Sequence, residues 1–260
     1  MVLRTAAGEP PRSSLIGPSL GIVVEESSAR IVVHDRGREL AGVVHAGESW
    51  AAAARRTCAS MNVEPVPVDL SGDAKQFEVD HDRVVTVRAM TRGDLADVTR
   101  WRQSQHVQRW WASDGEATRE AVEAKYGPPI DGRTPTRMWV VEVNGRSVGF
   151  LQDYRVGDYP DYALLGPDPD SIGVDYAIGD VAWLGRGLGV RMLWAWMVRA
   201  RRRFPDATSF FAAPDHRNAA SLRILDKAGF TQGLWFDEPQ PDGTVDTVVG
   251  CSLDVRRVLG

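Results

Sequence analysis

Apolar and polar residues alternate in short runs over the first quarter of this 260-residue chain. GIVVEE (21–26), ARIVVHD (29–35) and LAGVVHA (40–46) are separated by the polar turns SS and RGR, and read as a short β-meander. The alanine-rich ESWAAAARRTCASM (48–61) predicts a helix, and VEPVPVDL (63–70) an extended segment, because its prolines forbid helix. Residues 1–18, polar and rich in Pro and Ser, read as a loose tail, and SGDAKQ (71–76) as a linker. The pattern places a small α+β domain and its linker over 19–76 and a larger domain over 77–260. No chemical motif stands in the front part.

The larger part alternates in type. VVTVRAM (84–90) reads as a strand, and TRGDLADVTRWRQ (91–103) as a helix with Thr91 as N-cap and Asp94 in its first turn. EATREAVEAKYG (116–127) reads as a second helix. MWVVEVNGRSVGFLQDY (138–154) holds Asn144-Gly145 between two apolar runs, a strong hairpin signal. A strand follows at 171–180, a helix at 188–203, a strand at 207–213, a helix at 218–229 and a last strand at 245–255. The order β-α-α-β-β-β-α-β-α-β describes an α/β (α+β) fold, a mixed sheet packed by helices.

The turn AWLGRGLGVRM (182–192) places Gly185, Gly187 and Gly189 at alternate positions ahead of a helix whose Val190, Leu193, Trp194 and Met197 share one face. A strand-to-helix connection needing positive φ would use such glycines, and so would an anion site. The first amides of a helix are unpaired, and glycines let a phosphate approach them. Arg186 and Arg191 flank the turn as charge-assisted donors. No Lys-Ser/Thr follows, so it is not a Walker loop, and it lacks the GxGxxG spacing of a dinucleotide fingerprint. A pyrophosphate suits it, with its carrier left open.

Composition narrows the field. Apolar residues make up 43%, charged residues 25%, and the formal charge is −4, so nothing electrostatic points to nucleic acid or an anionic membrane. No apolar run approaches the ~18 residues of a membrane span, and the N-terminal residues show no secretory signal. Cys58 and Cys251 stand far apart, and His34, His45, His81, His106 and His216 never pair at i,i+2 or i,i+4. We therefore expect a cytoplasmic protein with buried thiols and no metal, a monomer or homodimer.

With its neighbours, the turn resembles the acetyl-CoA site of the GNAT N-acetyltransferase superfamily. Leu184 to Gly189 matches that family's Q/R-x-x-G-x-G/A motif except at the first position, and Asn218 through Lys227-Ala228-Gly229-Phe230 matches its Asn-helix-Lys-x-Gly-Phe element. The resemblance covers roughly 84–255 and implies a mostly antiparallel GNAT sheet. Within the superfamily, HVQRWW (106–111), VNGRSVGFLQDY (143–154) and GVDYAIGD (173–180) are similar to the aminoglycoside 6'-N-acetyltransferases. The resemblance implies acetyl-CoA as cosubstrate, held by Val181, Ala182, Trp183, Leu184, Arg186, Gly187, Leu188, Gly189, Val190, Arg191 and Asn218. It implies a small-molecule primary amine, of aminosugar or polyamine type, as acceptor. Trp110, Trp111, Gln152 and Tyr154 would then bind that acceptor, with Asp175 as the central acid.

Chemistry reads the same residues independently. Acyl transfer from a thioester to an amine needs a neutral amine, a donor to the carbonyl and a departing thiolate. Period two puts Asp175 among the small residues Gly173, Ala177 and Gly179, opposite Ile172, Val174, Tyr176 and Ile178. A salt bridge or plain solvation would also explain it. The amides of Val181 to Leu184 are the expected donors to the pantetheine and the thioester carbonyl. Trp110 and Trp111 either stack on a substrate ring or divide between core and helix end, while Gln152 and Tyr154 share one strand face. Asp215 and His216 are expected to shape the start of the helix at 218, ARRRF (200–204) to complement a helix dipole or meet the 3'-phosphate of CoA, and the acidic loop 158–170 to gather a cation or simply stay solvated.

Two departures from the family qualify the likeness. Leu225 stands where the family often carries a tyrosine that protonates the thiolate, which leaves that proton to water, to substrate or to a tyrosine from elsewhere. Ala213 stands where the aminoglycoside enzymes carry an aspartate, so acetyl-CoA is the firmer expectation and the polycationic acceptor the weaker. The alternatives are a hydroxylysine acyltransferase of siderophore synthesis, which tends to have histidine in place of Asp175, and a non-catalytic acyl-CoA-binding module.

Overall fold

The chain is described by a computed structural model covering residues 29–163, 168–240 and 242–260. The expected tail and the strand expected at 21–26 lie outside the described residues. The front part forms strands β1 (Arg30–Asp35) and β2 (Arg38–Val43), helix α1 (Trp50–Thr57), and strands β3 (Val66–Asp69) and β4 (Ala74–Glu78). They make a four-stranded sheet in the order β2-β1-β4-β3, with β1 and β4 parallel. Half of the expected linker 71–76, Ala74 to Gln76, is therefore strand. AKQFE carries a single large apolar residue, Phe77, which is wholly buried and meets the Trp194 ring edge-on at 6.0 Å. A half-solvated strand with one buried anchor reads as polar linker when only composition is consulted.

The remainder begins with β5 (Val85–Ala89), α2 (Leu95–Arg102), α3 (Gln105–Gln108) and α4 (Arg119–Ile130). Thr91 and Asp94 close a capping box ahead of α2. The hairpin β6 (Arg137–Val143) and β7 (Arg146–Arg155) turns at Asn144 and Gly145, both at positive φ (51° and 77°), the geometry a right-twisted hairpin requires. Helix α5 (Pro160–Ala163) precedes β8 (Ile172–Ile178). Then come α6 (Leu188–Arg203), β9 (Ser209–Ala212), α7 (Ala219–Lys227), β10 (Thr231–Pro239), β11 (Val245–Asp254) and α8 (Val255–Leu259). Strand β10 and helix α8 carry no expectation from sequence. TQGLWFDEP is exposed over most of its length, a sheet edge with a bulge between Gln232 and Trp235, so burial never imposed an alternating pattern on it.

These seven strands form one sheet in the order β10-β11-β9-β8-β7-β6-β5, antiparallel except at β8–β9. Period two divides its side chains between two layers. Met138, Val140, Phe150 and Ala177 pack on α2, α3 and α4 with Leu95, Val98, Trp101 and Tyr126. Trp139, Val141, Leu151 and Val174 face the other layer, where α6, α7 and the front sheet share one core. In that layer Asp153 is 1% exposed, and its Oδ2 accepts from the indoles of Trp139 (2.8 Å) and Trp196 (3.0 Å).

What positions the site is the parallel pair. β8 and β9 pair only at Ile172↔Phe210 and Gly173↔Phe211, and then the strands part. Beyond Gly173 one edge of β8 has no strand partner. A sheet that opens at its centre offers backbone donors and acceptors to a ligand, because that edge would otherwise be paired.

Candidate active site

A cavity of about 510 Å³ occupies this opening. Its walls include Val174, Asp175, Tyr176, Ala177 and Ile178 from β8 and Ala212 to Asp215 at the end of β9. They also include Asn218 at the N-cap of α7, Ser221 and Ile224 within it, and Glu238, Pro239 and Gln240 at the end of β10 and just beyond it. The Trp110–Trp111 corner and Gln152 of β7 complete it. A larger groove of about 1050 Å³ lies between β3, β5 and α6, but of the expected site residues it holds only Arg191. The carboxylates that could meet an amine line the smaller cavity.

Asp175 and Gln152 are register partners on β8 and β7, and Gln152 Nε2 donates to Asp175 Oδ2 at 2.8 Å. The carboxyl is half-buried. Burial, reinforced by the nearby Asp114 charge, raises its pKa above the usual carboxylate range, against the pull of the Gln152 hydrogen bond, Lys125 and Tyr154. A raised carboxylate is a better proton acceptor. The Tyr154 ring covers Gly173, where an added Cβ would lie 2.7 Å from the ring, and it packs edge-on against Tyr159 and Tyr162. Tyr154 thus lies behind Asp175 and outside the cavity wall. Of the acidic loop, α5 brings Tyr162 against Tyr154, while Asp158, Asp168 and Asp170 stay exposed and residues 164–167 lie outside the described residues.

Both tryptophans of the expected pair are half-buried and line the cavity. Trp111 tilts onto Phe150 at 5.4 Å, and Trp110 takes the Arg109 guanidinium on its face at 4.4 Å. The corner carrying them is braced by Arg102, which donates to the Tyr126 hydroxyl and the Trp111 carbonyl and pairs with Asp114 at 3.1 Å. Lys125 also pairs with Asp114. Neither tryptophan is wholly core: the corner is a short turn after α3, and no regular helix face sorts them.

Gly185 and Gly187 have φ of 70° and 72°, and α6 starts at Gly187 with no side-chain cap, so the first amides of a 16-residue helix are unclaimed. A Cβ at Gly185 would meet nothing within 4 Å. Gly189 serves another purpose, since a Cβ there would lie 2.6 Å from Ile224 Cδ1, and it allows α6 and α7 to pack closely. Leu188 and Val190 turn into the core, leaving only backbone for a ligand. Arg191, expected as a phosphate donor, already has partners for its guanidinium. It is 5% exposed and committed to Asp80 (2.9 Å), Glu78 and the Gly187 carbonyl, tying the front sheet to α6. Arg186 is exposed, and its carbonyl accepts from Arg83 at 3.1 Å.

The amides of Ala182, Trp183 and Leu184 are also spoken for. Asp180 caps a 3₁₀ turn over Val181–Trp183, so these three N–H groups bond to Asp180 Oδ1, Asp180 O and Val181 O at 3.0, 3.0 and 3.2 Å. The unpartnered edge of β8 is the available donor instead. Leu184 and Asn218 line the cavity, and Asn218 Oδ1 caps α7 by accepting from the Ser221 amide at 3.1 Å. The open edge, the uncapped helix start and Gly185 together fit an extended thioester cosubstrate with a diphosphate at one end.

Glu238, Asp246, Asp114 and Tyr176 also line the cavity without having been proposed as site residues in sequence, as does Asp215, expected only to shape the start of α7. Their only early signal was residue type, since Glu238 lies on an unforeseen edge strand and Asp114 in an irregular turn. The Glu238 carboxyl is pushed up to about 7, first by burial and then by the charges of Asp175 and Asp246. Asp215 is held below the usual range by Arg217.

Among the described residues no cluster of three or more metal-ligating side chains occurs, and no helix is long and apolar enough to cross a membrane. An acetyltransferase (GNAT) domain family matches residues 91–237. The aminoglycoside N(6')-acetyltransferase type 1 of Klebsiella pneumoniae is 28% identical over 148 residues, 56% of this chain and 73% of that enzyme. The lysine N-acyltransferase MbtK of Mycobacterium tuberculosis is 25% identical over 142 residues, 52% of this chain and 63% of that enzyme. A crystal structure of the aminoglycoside acetyltransferase AAC(6')-Ib with coenzyme A superposes with a TM-score of 0.57 at 26% identity, covering 66% of this chain and 95% of that one. The same enzyme with paromomycin and acetyl-CoA gives 0.56 at 27%, covering 65% and 93%. The chain belongs to the GNAT acetyltransferase family, and its opened sheet is the fold of those neighbours.

Proposed function

We propose that this enzyme moves the acetyl group of acetyl-CoA to a primary amine of a small polycationic molecule, an aminosugar or a polyamine, by direct attack on the thioester. The observation that carries this reading is Asp175, a half-buried carboxylate held by Gln152 at the edge of the opened sheet. It can attract an ammonium and accept its proton, directly or through water. The unpartnered edge of β8 and the uncapped start of α6 would hold the pantetheine and diphosphate of acetyl-CoA. Glu238, Asp246 and Asp114 add negative charge around the acceptor. They supply the attraction that Ala213 removes from the end of β9. Aromatic walls at Trp110 and Trp111 suit a ring-shaped or extended apolar body bearing amines.

Likeness to the mycobacterial lysine N-acyltransferase supports a second acceptor class, a lysine-type side chain. Thiol release from acetyl-CoA, followed over aminosugars, linear polyamines and lysine or hydroxylysine derivatives, decides between them. Turnover confined to the lysine type would replace the first reading. Tight CoA binding with no turnover on any amine would reject both.

A pH prediction follows from Glu238. Below about 7 its carboxyl is neutral, and above that value it is charged. Affinity for a polycationic acceptor therefore rises as pH increases through about 7 in the parent protein. Glu238→Gln flattens that rise and weakens binding at pH 8 by about ten- to a hundredfold, the scale of one hydrogen bond to a charged group. The sign for stability is opposite. A carboxyl whose folded pKa is raised loses stability as pH climbs from the usual carboxylate range to about 7, so Glu238→Gln melts higher than the parent at pH 8 and no higher at pH 4. Calorimetric titration and thermal melts at the two pH values measure both. Parallel pH curves for parent and variant would remove Glu238 from the acceptor site.

A further inference from the structure

Leu225 stands where the family often carries the tyrosine that protonates the thiolate, and it is wholly buried in the core. A phenol reaches the same cavity from the strand. Tyr176 follows Asp175 on β8 and points to the opposite face of the sheet. Its hydroxyl lies 2.7 Å from Ser221 Oγ, in the first turn of α7, and both residues line the opening between β8 and β9. Ser221 is itself placed by the bond from its amide to Asn218 Oδ1. Tyr154 packs over Gly173 behind Asp175, and neither it nor Tyr162 lines the cavity. One strand edge therefore presents a carboxylate on one face and a phenol on the other, a single residue apart, with the opening beside both.

We propose that Tyr176 is a catalytic residue of this chain, giving its phenolic proton to the departing sulfur while Ser221 Oγ–H, donating to the phenolic oxygen, turns that proton into the opening. The assignment rests on the acetyl-transfer reading above. The amine's lone pair forms the C–N bond at the thioester carbonyl carbon, and the nitrogen's proton passes to Asp175, directly or through water. The C–S bond breaks with its electron pair going to sulfur, which takes the Tyr176 proton. The phenolate is reprotonated from solvent through Ser221, so one proton moves in net from nitrogen to sulfur. Burial raises the Tyr176 hydroxyl above the ordinary phenol range, so it carries its proton at the start of every cycle and recovers it readily.

The test uses the full chain with Tyr176→Phe and Ser221→Ala, each checked for parental urea unfolding. Tyr176→Phe is expected to lower kcat about a hundredfold, the lower range of general-acid effects, with KM for acetyl-CoA nearly unchanged. Ser221→Ala is expected to lower it about tenfold. An acetyl thioester of a more acidic aromatic thiol needs less help in leaving, and restores most of the rate to Tyr176→Phe. A binding readout stands apart from turnover: the thiol of bound CoA, followed by thiolate absorbance, ionises at higher pH in Tyr176→Phe than in the parent. Parental kcat in Tyr176→Phe, or a loss of rate with neither a shift in thiol ionisation nor rescue by the activated thioester, overturns the assignment. If the parent protein acetylates no amine, the acetyl-transfer reading fails, and unchanged thiol ionisation would then overturn Tyr176 separately.

Discussion

Asp175→Asn lowers kcat/KM for the amine at least about a hundredfold, while the affinity for CoA stays close to that of the parent. Asparagine keeps the size of the side chain and can still accept from Gln152, whose amide lies 2.8 Å from the carboxylate in the parent. It cannot take a proton. The loss is therefore that of a general base, worth about 10²–10⁴ in rate. The pH profile carries the signature. Burial holds the Asp175 carboxyl above the usual range, so parental activity falls as pH drops through that raised value. Asp175→Asn removes this acid limb. The same burial makes the ionised carboxylate costly to fold, so the variant is at least as stable as the parent at neutral pH, and the difference closes as pH falls. Activity lost without stability lost separates a base from a structural prop. Thiol release at saturating acetyl-CoA across pH measures it, and an Asp175→Asn enzyme with the parental profile would falsify the role.

Gly179→Ala is expected to destabilise the protein by about 1–3 kcal/mol or more, the cost of overpacking a closed core. A Cβ at Gly179 would lie 2.0 Å from Trp101 Cγ and 2.4 Å from its Cδ1 and Cδ2. Trp101 is 2% exposed and stacks on Phe150 with its centroid at 6.2 Å and its plane 4° away, so the ring has nowhere to retreat. Phe150 also carries Trp111 and Tyr126, and hence the tryptophan corner of the acceptor cavity. The substitution should raise KM for the amine more than KM for acetyl-CoA, because Trp111 and Tyr126 rest on Phe150, whereas the proposed cosubstrate contacts lie at the unpartnered edge of β8 and the start of α6. Urea unfolding and steady-state kinetics test the two halves. A variant with the parental midpoint would mean that the Trp101 layer yields more easily than its packing implies.

Much of the architecture was legible from local pattern. Helix α6 begins and ends at the residues read from periodicity, 188 and 203, because one apolar face and a glycine start leave little choice. The β6–β7 hairpin follows from Asn144-Gly145, whose positive φ angles few other pairs tolerate. Asp175 and Gln152 could be placed on their strands by period two. That they are register partners, with one holding the other, is a matter of strand pairing between segments more than twenty residues apart.

The sequence by itself therefore determined most elements of the larger part and the glycine turn, and it put Asp175 on its strand, since these depend on backbone preference and side-chain period within a few residues. Only the tertiary structure decided which polar groups are free to act. Arg191 looks available in sequence, but Glu78 of the front sheet and Asp80 just after it pair with its guanidinium. The amides after Asp180 looked splayed until that side chain closed them into a turn. Glu238 and Tyr176 became candidates because an edge strand and a diverging strand pair bring them to one cavity. A polar group's role depends on what already satisfies it, and in a folded chain its partners mostly come from elsewhere in the sequence.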